Sequence, residues 1–559
     1  MAWSWLRRPT LGSIAVIGAP VLCFGALAWR RRWMSDDGYI NLRIVWNLTH
    51  GHGPVFNIGE RVEAGTSPLW IALLTLLRLP LWFVDAAWVA VLVGIALSLL
   101  GLALAIAGAR RWWASVGPPG HPAVLPAGAL ALVALPPMWD FASSGLETGL
   151  SFAWLGACWW TITGRLGDDP PRAPHDPWWA PVLIGLAVLV RPDFAVFGVA
   201  FAVAHAVTSA RNRRTCAVAL GLGLALPTAY QVFRMGYYGL LVPNTAVAKE
   251  AGRDLWGRGR LYADLYLGAT WLQRAVVLLA VAFAVLAWRA GASARHHVVA
   301  AAPVLAALLH AGYVTRVGGD FMYARLLLPA TFALLCPVAA LPLPTREHWR
   351  WLAWAPLTGL AVVLVVVGGF RRFETDNAFV KILVTDEREA WVAASNGHPH
   401  PITIADYRTS AFIQAAAALP DEDGLFDPTN FRWAPAGERL FVIGAIGMVS
   451  NRLWDVHIVD SQSLVDPVGA HLEPGRVGRS GHEKPLPWSW TVARYGRGQM
   501  SPDMRAARDA LHCGDLAELV DSVDQPLTPG RFARNLVGSV KRTSLRIPVD
   551  PVDARAQFC

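Results

Sequence analysis

Charge is scarce in this chain. Only 16% of its 559 residues are Asp, Glu, Lys or Arg, against 54% hydrophobic, and the mean hydropathy is +0.38. That balance excludes an ordinary soluble globular protein of this size. Cysteine is scarce too. The six present show no CxxC or metal-finger spacing, which excludes a zinc ribbon or a redox dithiol motif. No Walker loop, GxGxxG turn or nucleotide-sugar DxD motif appears in the outer loops between the apolar runs. Gly481-His482-Glu483-Lys484 lacks the second histidine of a HExxH zinc site. These absences argue against a nucleotide donor and a zinc hydrolase. There is no internal repeat and no low-complexity tract. The net charge of +9 comes from 49 basic and 40 acidic residues. In a membrane protein this reflects basic cytoplasmic loops, and no nucleic-acid partner is expected.

What fills the sequence is apolar runs. They fall near residues 11–29, 66–83, 86–108, 123–138, 149–164, 179–190, 192–209, 215–233, 271–289, 297–315, 322–343 and 350–370. Runs near the ~20-residue span length define a polytopic α-helical membrane protein. Tryptophans sit at many run ends (Trp29, Trp33, Trp70, Trp112, Trp113, Trp178, Trp179), where indole rings favour the interface. Arg7 and Arg8 precede the first run, which reads as a transmembrane helix rather than a cleaved signal.

Basic loops at Arg110-Arg111, Arg165, Arg211 to Arg214, Arg289 to His297 and Arg346 to Arg350 alternate with loops poorer in bases. Placing the basic loops in the cytoplasm sends 350–370 outward. The expected organisation is a transmembrane domain over residues 1–370 and an extracytoplasmic soluble domain over about 371–559, α/β or β-rich, possessing candidate carbohydrate contacts. An even number of spans cannot join an inner N-terminus to an outer C-terminus. About eleven spans are therefore expected, with 66–83 or 179–190 as the partial one. Arg30-Arg31-Arg32 then falls outside, against the charge rule, and is assigned to lipid phosphates. Cys513 and Cys559 lie in the polar C-terminal part. In an oxidising compartment they form a candidate disulfide.

The same topology gathers unusual polar residues on the outer side. The first outer loop, about 34–66, holds Asp36, Asp37, His50, His52, Glu60, Arg61 and Glu63 among several glycines. Asp36 and Asp37 are the candidate catalytic acids, since one carboxylate can serve as general base while the other orients it. Adjacent acids also repel, which raises one pKa. The bland reading is a helix cap by Ser35 or Asp36 ahead of Tyr39. An acid pair can also hold a divalent cation, although no metal site is assigned. Glu147, Arg191, Asp193, Lys249, Asp320 and Arg325 are candidates for holding a donor sugar or its phosphate. For Glu147 the alternative is a first-turn acid of a helix capped by Ser143 or Ser144. Arg191 and Asp193 flank Pro192 and can pair in a kink. His52, Glu63, His482 and Glu483 are candidates for acceptor contact.

An acid pair after the first span, then a polar loop and an apolar run, resembles the polyprenyl-phosphate-sugar-dependent glycosyltransferases of the GT-C fold. More narrowly, Asp36-Asp37-Gly38-Tyr39-Ile40, Gly51-His52-Gly53-Pro54-Val55-Phe56-Asn57, Gly59-Glu60-Arg61-Val62-Glu63, Thr66-Ser67-Pro68-Leu69-Trp70, Ser144-Gly145-Leu146-Glu147-Thr148 and Arg191-Pro192-Asp193 resemble the terminal arabinofuranosyltransferases of mycobacterial and corynebacterial cell walls. Val459-Asp460 and Gly481 to Lys484 extend the resemblance into the C-terminal part. The resemblance implies decaprenylphosphoryl arabinose as lipid donor. It implies the non-reducing arabinan ends of arabinogalactan and lipoarabinomannan as acceptor, a terminal β-1,2 product, and Asp36 and Asp37 as catalytic acids. The implied donor and product are both β. A simple general-base displacement inverts, so the acids stay open between base and nucleophile.

Two alternatives differ in class. One is a polyprenyl-phosphomannose-dependent mannosyltransferase of the same fold. The other is a non-catalytic protein, either a lipid-sugar transporter or an envelope-binding protein. The absence of an inverted repeat weighs against the transporter.

Overall fold

The computed structural model describes residues 11–116, 124–166, 178–209, 213–270, 272–342, 384–418, 432–433, 440–475, 479–497 and 499–559. The chain divides into two compact units, each assembled from three segments. One unit comprises Met1–Trp33, Val91–Pro227 and Leu255–Ala378. The other comprises Met34–Ala90, Thr228–Asp254 and Phe379–Cys559. This division cuts across the sequence boundary at about residue 371, and that boundary lies outside the described residues. The expected span at 350–370 lies outside them as well.

The first unit is helical. Four described helices are long and apolar enough to cross a membrane: Ala86–Val116, Arg214–Tyr237, Leu272–Arg289 and Ala294–Arg316. Shorter apolar helices cover Val16–Arg30, Pro192–Thr208 and Arg325–Leu335, with Pro68–Arg78 in the other unit. The expected span 123–138 is not one helix. It forms a strand, Val124–Leu125, then two short helices, Ala127–Val133 and Pro136–Ala142. Pro136 and Pro137 explain the break, because proline pushes the preceding residue out of the α region. The run 179–190 is likewise split into Trp179–Gly185 and Ala187–Val190, and Arg191 is extended at φ −160°. At ~1.5 Å per residue, the 11-residue Pro68–Arg78 helix reaches roughly half of the hydrocarbon thickness.

Close helix contacts in this unit rest on glycine. Gly94, Gly101 and Gly108 recur at heptad spacing along Ala86–Val116 and meet Thr148–Thr163. A Cβ on Gly149 would lie 2.2 Å from the Gly94 carbonyl oxygen, and one on Gly156 would lie 2.5 Å from that of Gly101. Without an aqueous driving force, such backbone approach is a principal source of helix association in lipid. The arginines after the first helix are also accounted for internally. Arg31 makes a bidentate pair with Asp140 at 2.7 and 3.0 Å. Arg32 lies 4.2 Å from the centre of the Trp29 ring and donates to the Trp29 carbonyl. Arg31, expected at a lipid phosphate, is instead neutralised by a protein carboxylate.

The second unit joins the first polar loop to the C-terminal chain. Leu440–Ile443 and His457–Asp460 form a two-stranded parallel pair. Arg432–Trp433 pairs antiparallel with Gly496–Arg497. Helices dominate the rest: Glu387–Ala394, Ala411–Ala417, Ile446–Arg452, Trp488–Tyr495, Pro502–Leu511, Gly514–Asp524, Pro529–Ser544 and Pro551–Phe558. Among the described residues, helices outnumber strands in this part. Trp490, Leu516, Leu519, Ile547 and Ala554 form its core. Cys513 and Cys559 form a disulfide with Cα atoms 5.2 Å apart.

Two side chains bind the loop to this core. Arg43, 1% exposed, donates to the carbonyls of Phe56, Ser450, Leu453, Trp454 and Val456. Asn57 donates to the Ile458 carbonyl and accepts from the Ile458 N–H, as a neighbouring strand would.

Candidate functional site

Ser35 caps the helix Asp36–Thr49, its hydroxyl accepting from the Gly38 N–H at 3.0 Å. The cap leaves both acids of the first turn available for longer-range contacts. Asp36 is buried. Its two carboxylate oxygens accept from the N–H groups of Gly447 at 3.2 Å and Met448 at 2.7 Å. These are early N–H groups of the helix Ile446–Arg452, which lack partners within that helix. Approach is possible because residue 447 is glycine, where a Cβ would stand 1.8 Å from the Asp36 carbonyl oxygen. Burial pushes the Asp36 carboxyl up to about 7. The Met448 N–H opposes that rise and the charge of Asp37 adds to it. Asp37 is half-buried.

Tertiary structure adds residues from distant parts of the chain to this unit's acid pair. Glu387 opens the helix Glu387–Ala394 and is 6% exposed. One oxygen accepts from Trp391 Nε1 at 2.8 Å, and the other lies 3.5 Å from Arg479. Burial raises its carboxyl to about 7. Arg479 acts against the rise, while Asp37 and then Asp36 add to it. His482 is held down by burial first and by Arg479 next, so its imidazole is predominantly neutral near pH 7. Lys249 also disfavours its charge, while Asp37 favours it. The Lys249 stem packs against Gly481, whose φ is +77° and whose added Cβ would lie 3.1 Å from Lys249 Cε. Asp36, Asp37, Glu387, Arg479, His482 and Lys249 thus interact within one unit. Glu387 and Arg479 carried no local sequence signal, since each is an ordinary charged residue in a polar stretch.

The remaining donor-side candidates cluster in the other unit. Arg191 forms two hydrogen bonds with Asp193, at 2.9 and 3.2 Å, and one with Glu147 at 2.5 Å. Arg325 lies 3.6 Å from Glu147 and 3.7 Å from Asp320. His310 completes the group, with Nε2 2.8 Å from Asp193. Glu147 occupies the cap position of Thr148–Thr163 without a capping bond, while Ser143 and Ser144 donate backwards to Asp140 and Phe141 carbonyls. Burial opposes ionisation of Glu147, but Arg191 and Arg325 outweigh it and hold its carboxyl below the usual range. Three carboxylates face two guanidiniums and one imidazole. An incoming phosphate would have to compete with protein acids that already neutralise these arginines. The five residues grouped by the sequence reading meet here, and Lys249 belongs to the acid-pair unit.

The acceptor-side candidates divide by exposure. Glu63 is buried, accepting from Arg234 at 2.6 and 3.1 Å and from Tyr230 at 2.7 Å. Glu483 is buried and accepts from the Gly481 N–H at 2.9 Å. His52 is exposed. Within the loop, Glu60 pairs with Arg494, and Arg61 donates to the carbonyls of Tyr237 and Ser522. Much of the charge density in this loop therefore holds the loop in place. Among the described residues, no group of three or more His, Cys, Asp or Glu is placed to hold a metal ion.

The C-terminal residues 429–557 match the family model for the AftB family C-terminal domain. A terminal beta-(1->2)-arabinofuranosyltransferase of Mycobacterium tuberculosis is 35% identical over an alignment of 604 positions, which spans 95% of this chain and 95% of the relative. A protein of the same name from Corynebacterium glutamicum is 32% identical, over 98% of this chain and 87% of the relative. No solved structure matches. Similarity at this level extends over nearly the whole chain, and the chain belongs to the terminal β-(1→2)-arabinofuranosyltransferase family of glycosyltransferases.

Proposed function

We propose that this protein transfers arabinofuranose from decaprenylphosphoryl arabinose to non-reducing arabinan ends of arabinogalactan and lipoarabinomannan, forming terminal β-1,2 linkages. The observation that carries the reading is the meeting of Asp37 with Asp36, Glu387, Arg479, His482 and Lys249 within one unit. Both Asp36 oxygens are engaged by backbone N–H groups. Asp36 is therefore the positioning acid, and half-buried Asp37 is the acid that meets sugar. Lys249 and Arg479 supply positive charge for the phosphate as the C1–oxygen bond breaks and its electron pair moves to the leaving group. The acceptor hydroxyl loses its proton to a carboxylate as its oxygen bonds C1. Net retention requires either two displacements, with one carboxylate as nucleophile, or front-face attack. Asp37 and Glu387 are the two carboxylates available for the first route.

The membrane context completes the proposal. A plasma-membrane protein with about eleven spans keeps the lipid tail in the bilayer and places the acid pair at the extracytoplasmic surface. The Cys513–Cys559 disulfide supports an oxidising compartment for the C-terminal part. The Glu147–Arg191–Asp193–Asp320–Arg325 cluster, in which three carboxylates already engage two guanidiniums, is assigned to shaping the membrane unit rather than holding the leaving phosphate. The deciding experiment incubates purified protein with an arabinan oligosaccharide and either labelled polyprenyl-phosphoarabinose or labelled polyprenyl-phosphomannose. Terminal β-1,2-arabinose from the first donor alone is expected. Mannose transfer, or lipid movement without glycan product, would overturn the proposal.

A further inference from the structure

Four rings form a near-parallel group at the far end of the helix that begins with the acid pair. Trp46 stacks with His50 at 4.2 Å and 22°, with Trp454 at 5.0 Å and 23°, and with His52 at 5.8 Å and 25°. His50 and His52 are exposed, while Trp46 and Trp454 are half-buried. None of these rings enters the proposed transfer chemistry.

The group is built on a fixed base. The Arg43 guanidinium lies 5.8 Å from the Trp46 ring centre and 5.7 Å from that of Trp454. The same guanidinium holds the carbonyls of Leu453 and Trp454. Burial lowers its pKa to about 10, still well above neutrality, with Asp455 favouring its charge. On the other side, the His52 N–H donates to the Asn47 carbonyl and His50 Nδ1 contacts the Trp46 carbonyl at 2.8 Å. Gly51, between the imidazoles, has φ +81°, and Gly53, just after them, has φ +88°. Ring positions fixed in this way spare a ligand much of the ordering cost.

We propose that Trp46, His50, His52 and Trp454 form a stacking subsite for the arabinan chain behind its reacting end. This rests on the arabinosyl-transfer reading above. An aromatic face carries negative quadrupole density, which complements the weakly positive C–H face of a sugar ring. The imidazole edges supply hydrogen-bonding atoms for sugar hydroxyls. A neutral, hydroxyl-rich glycan uses both features together. Position supports this occupant. Trp46 is nine residues beyond Asp37 on one helix, roughly 14 Å along its axis. A polymer reacting at the acid pair can span that distance, whereas a disaccharide leaves the rings unoccupied.

The test compares Trp454→Ala and His52→Ala with wild type, using a short and a long synthetic arabinofuranosyl acceptor. The long-to-short ratio of kcat/KM is expected to fall roughly 3- to 10-fold, the range of one aromatic contact. The loss should lie in KM, and Trp454→Phe should restore most of it. Exposed His52 provides the variant least disruptive to folding. Binding of the long oligosaccharide, followed by ligand-observed NMR without lipid donor, should weaken in parallel. An unchanged ratio with unchanged binding would overturn the subsite, as would an equal loss on both acceptors. Wild-type glycan binding that weakens in both variants, with no arabinose transfer, would retain the subsite and overturn the donor assignment.

Discussion

Asparagine at each acid of the pair should separate a positioning role from a reacting one. Asp36→Asn keeps the shape but leaves one acceptor oxygen for two N–H groups, those of Gly447 and Met448. One buried N–H then faces an NH₂ donor. An unmet buried donor costs about 1–3 kcal/mol, and that is the expected loss of stability. Gly447→Ala attacks the same contact from the other side, because its Cβ would stand 1.8 Å from the Asp36 carbonyl oxygen. Overpacking of this kind also costs about 1–3 kcal/mol. Asp37 is half-buried, and Asp37→Asn should change stability by about 0.5 kcal/mol or less. Its transfer rate should nevertheless fall about 10²- to 10⁴-fold, the scale of a positioned acid or base. The assay pairs unfolding midpoints in detergent with initial rates of labelled arabinose transfer. Near-normal turnover by folded Asp37→Asn would refute the assignment. An Asp36→Asn variant of wild-type stability but without activity would reverse the roles.

Three further outcomes follow from the same structure. Asp36 and Glu387 both have carboxyls raised to about 7 by burial, so transfer should rise as pH increases through about 7 and these groups ionise. Their contribution to stability has the opposite direction. It is fully present below the ordinary values of 3.8 and 4.5 and is lost as pH rises through about 7. Glu387→Gln should reduce that slope in unfolding curves relative to wild type. Lys484 is fully buried, pairs with Glu250 and donates to the carbonyls of Val247 and Ala470, securing the segment that carries Lys249. Lys484→Met leaves the Val247 and Ala470 carbonyls without their donor while Arg546 still faces Glu250 at 3.4 Å, so it should cost about 1–3 kcal/mol, as read from denaturant midpoints. Cys513→Ser with Cys559→Ser opens a crosslink between residues 46 apart. Chain entropy sets its effect at about 4 kcal/mol, testable by comparing thermal midpoints of oxidised and doubly substituted protein.

The acid pair was legible because two adjacent acids directly after an apolar run are costly unless used. Arg191 and Asp193 were legible as a pair because Pro192 interrupts a helix between them. The charged loop misled in part. Glu60, Arg61 and Glu63 looked like an open polar site, whereas their partners Arg494, Tyr237, Ser522 and Arg234 lie far along the chain. Glu387 and Arg479 escaped notice for the same reason. Neither has a local pattern, and their meaning arises only beside Asp37.

Apolar run length and low charge were enough to indicate a helical chain with apolar helices compatible with a membrane, because transfer into hydrocarbon depends on local composition and helical rise. The helix start at Ser35 was likewise a local signal, whereas the break at Pro136 was missed inside the expected run 123–138. Which charges are spent on packing and which remain for chemistry was decided only by tertiary structure. Electrostatic interaction depends on distance and burial rather than sequence separation. The fold places Gly447 and Met448 against Asp36, and Glu387 near Asp37, across more than three hundred residues of chain.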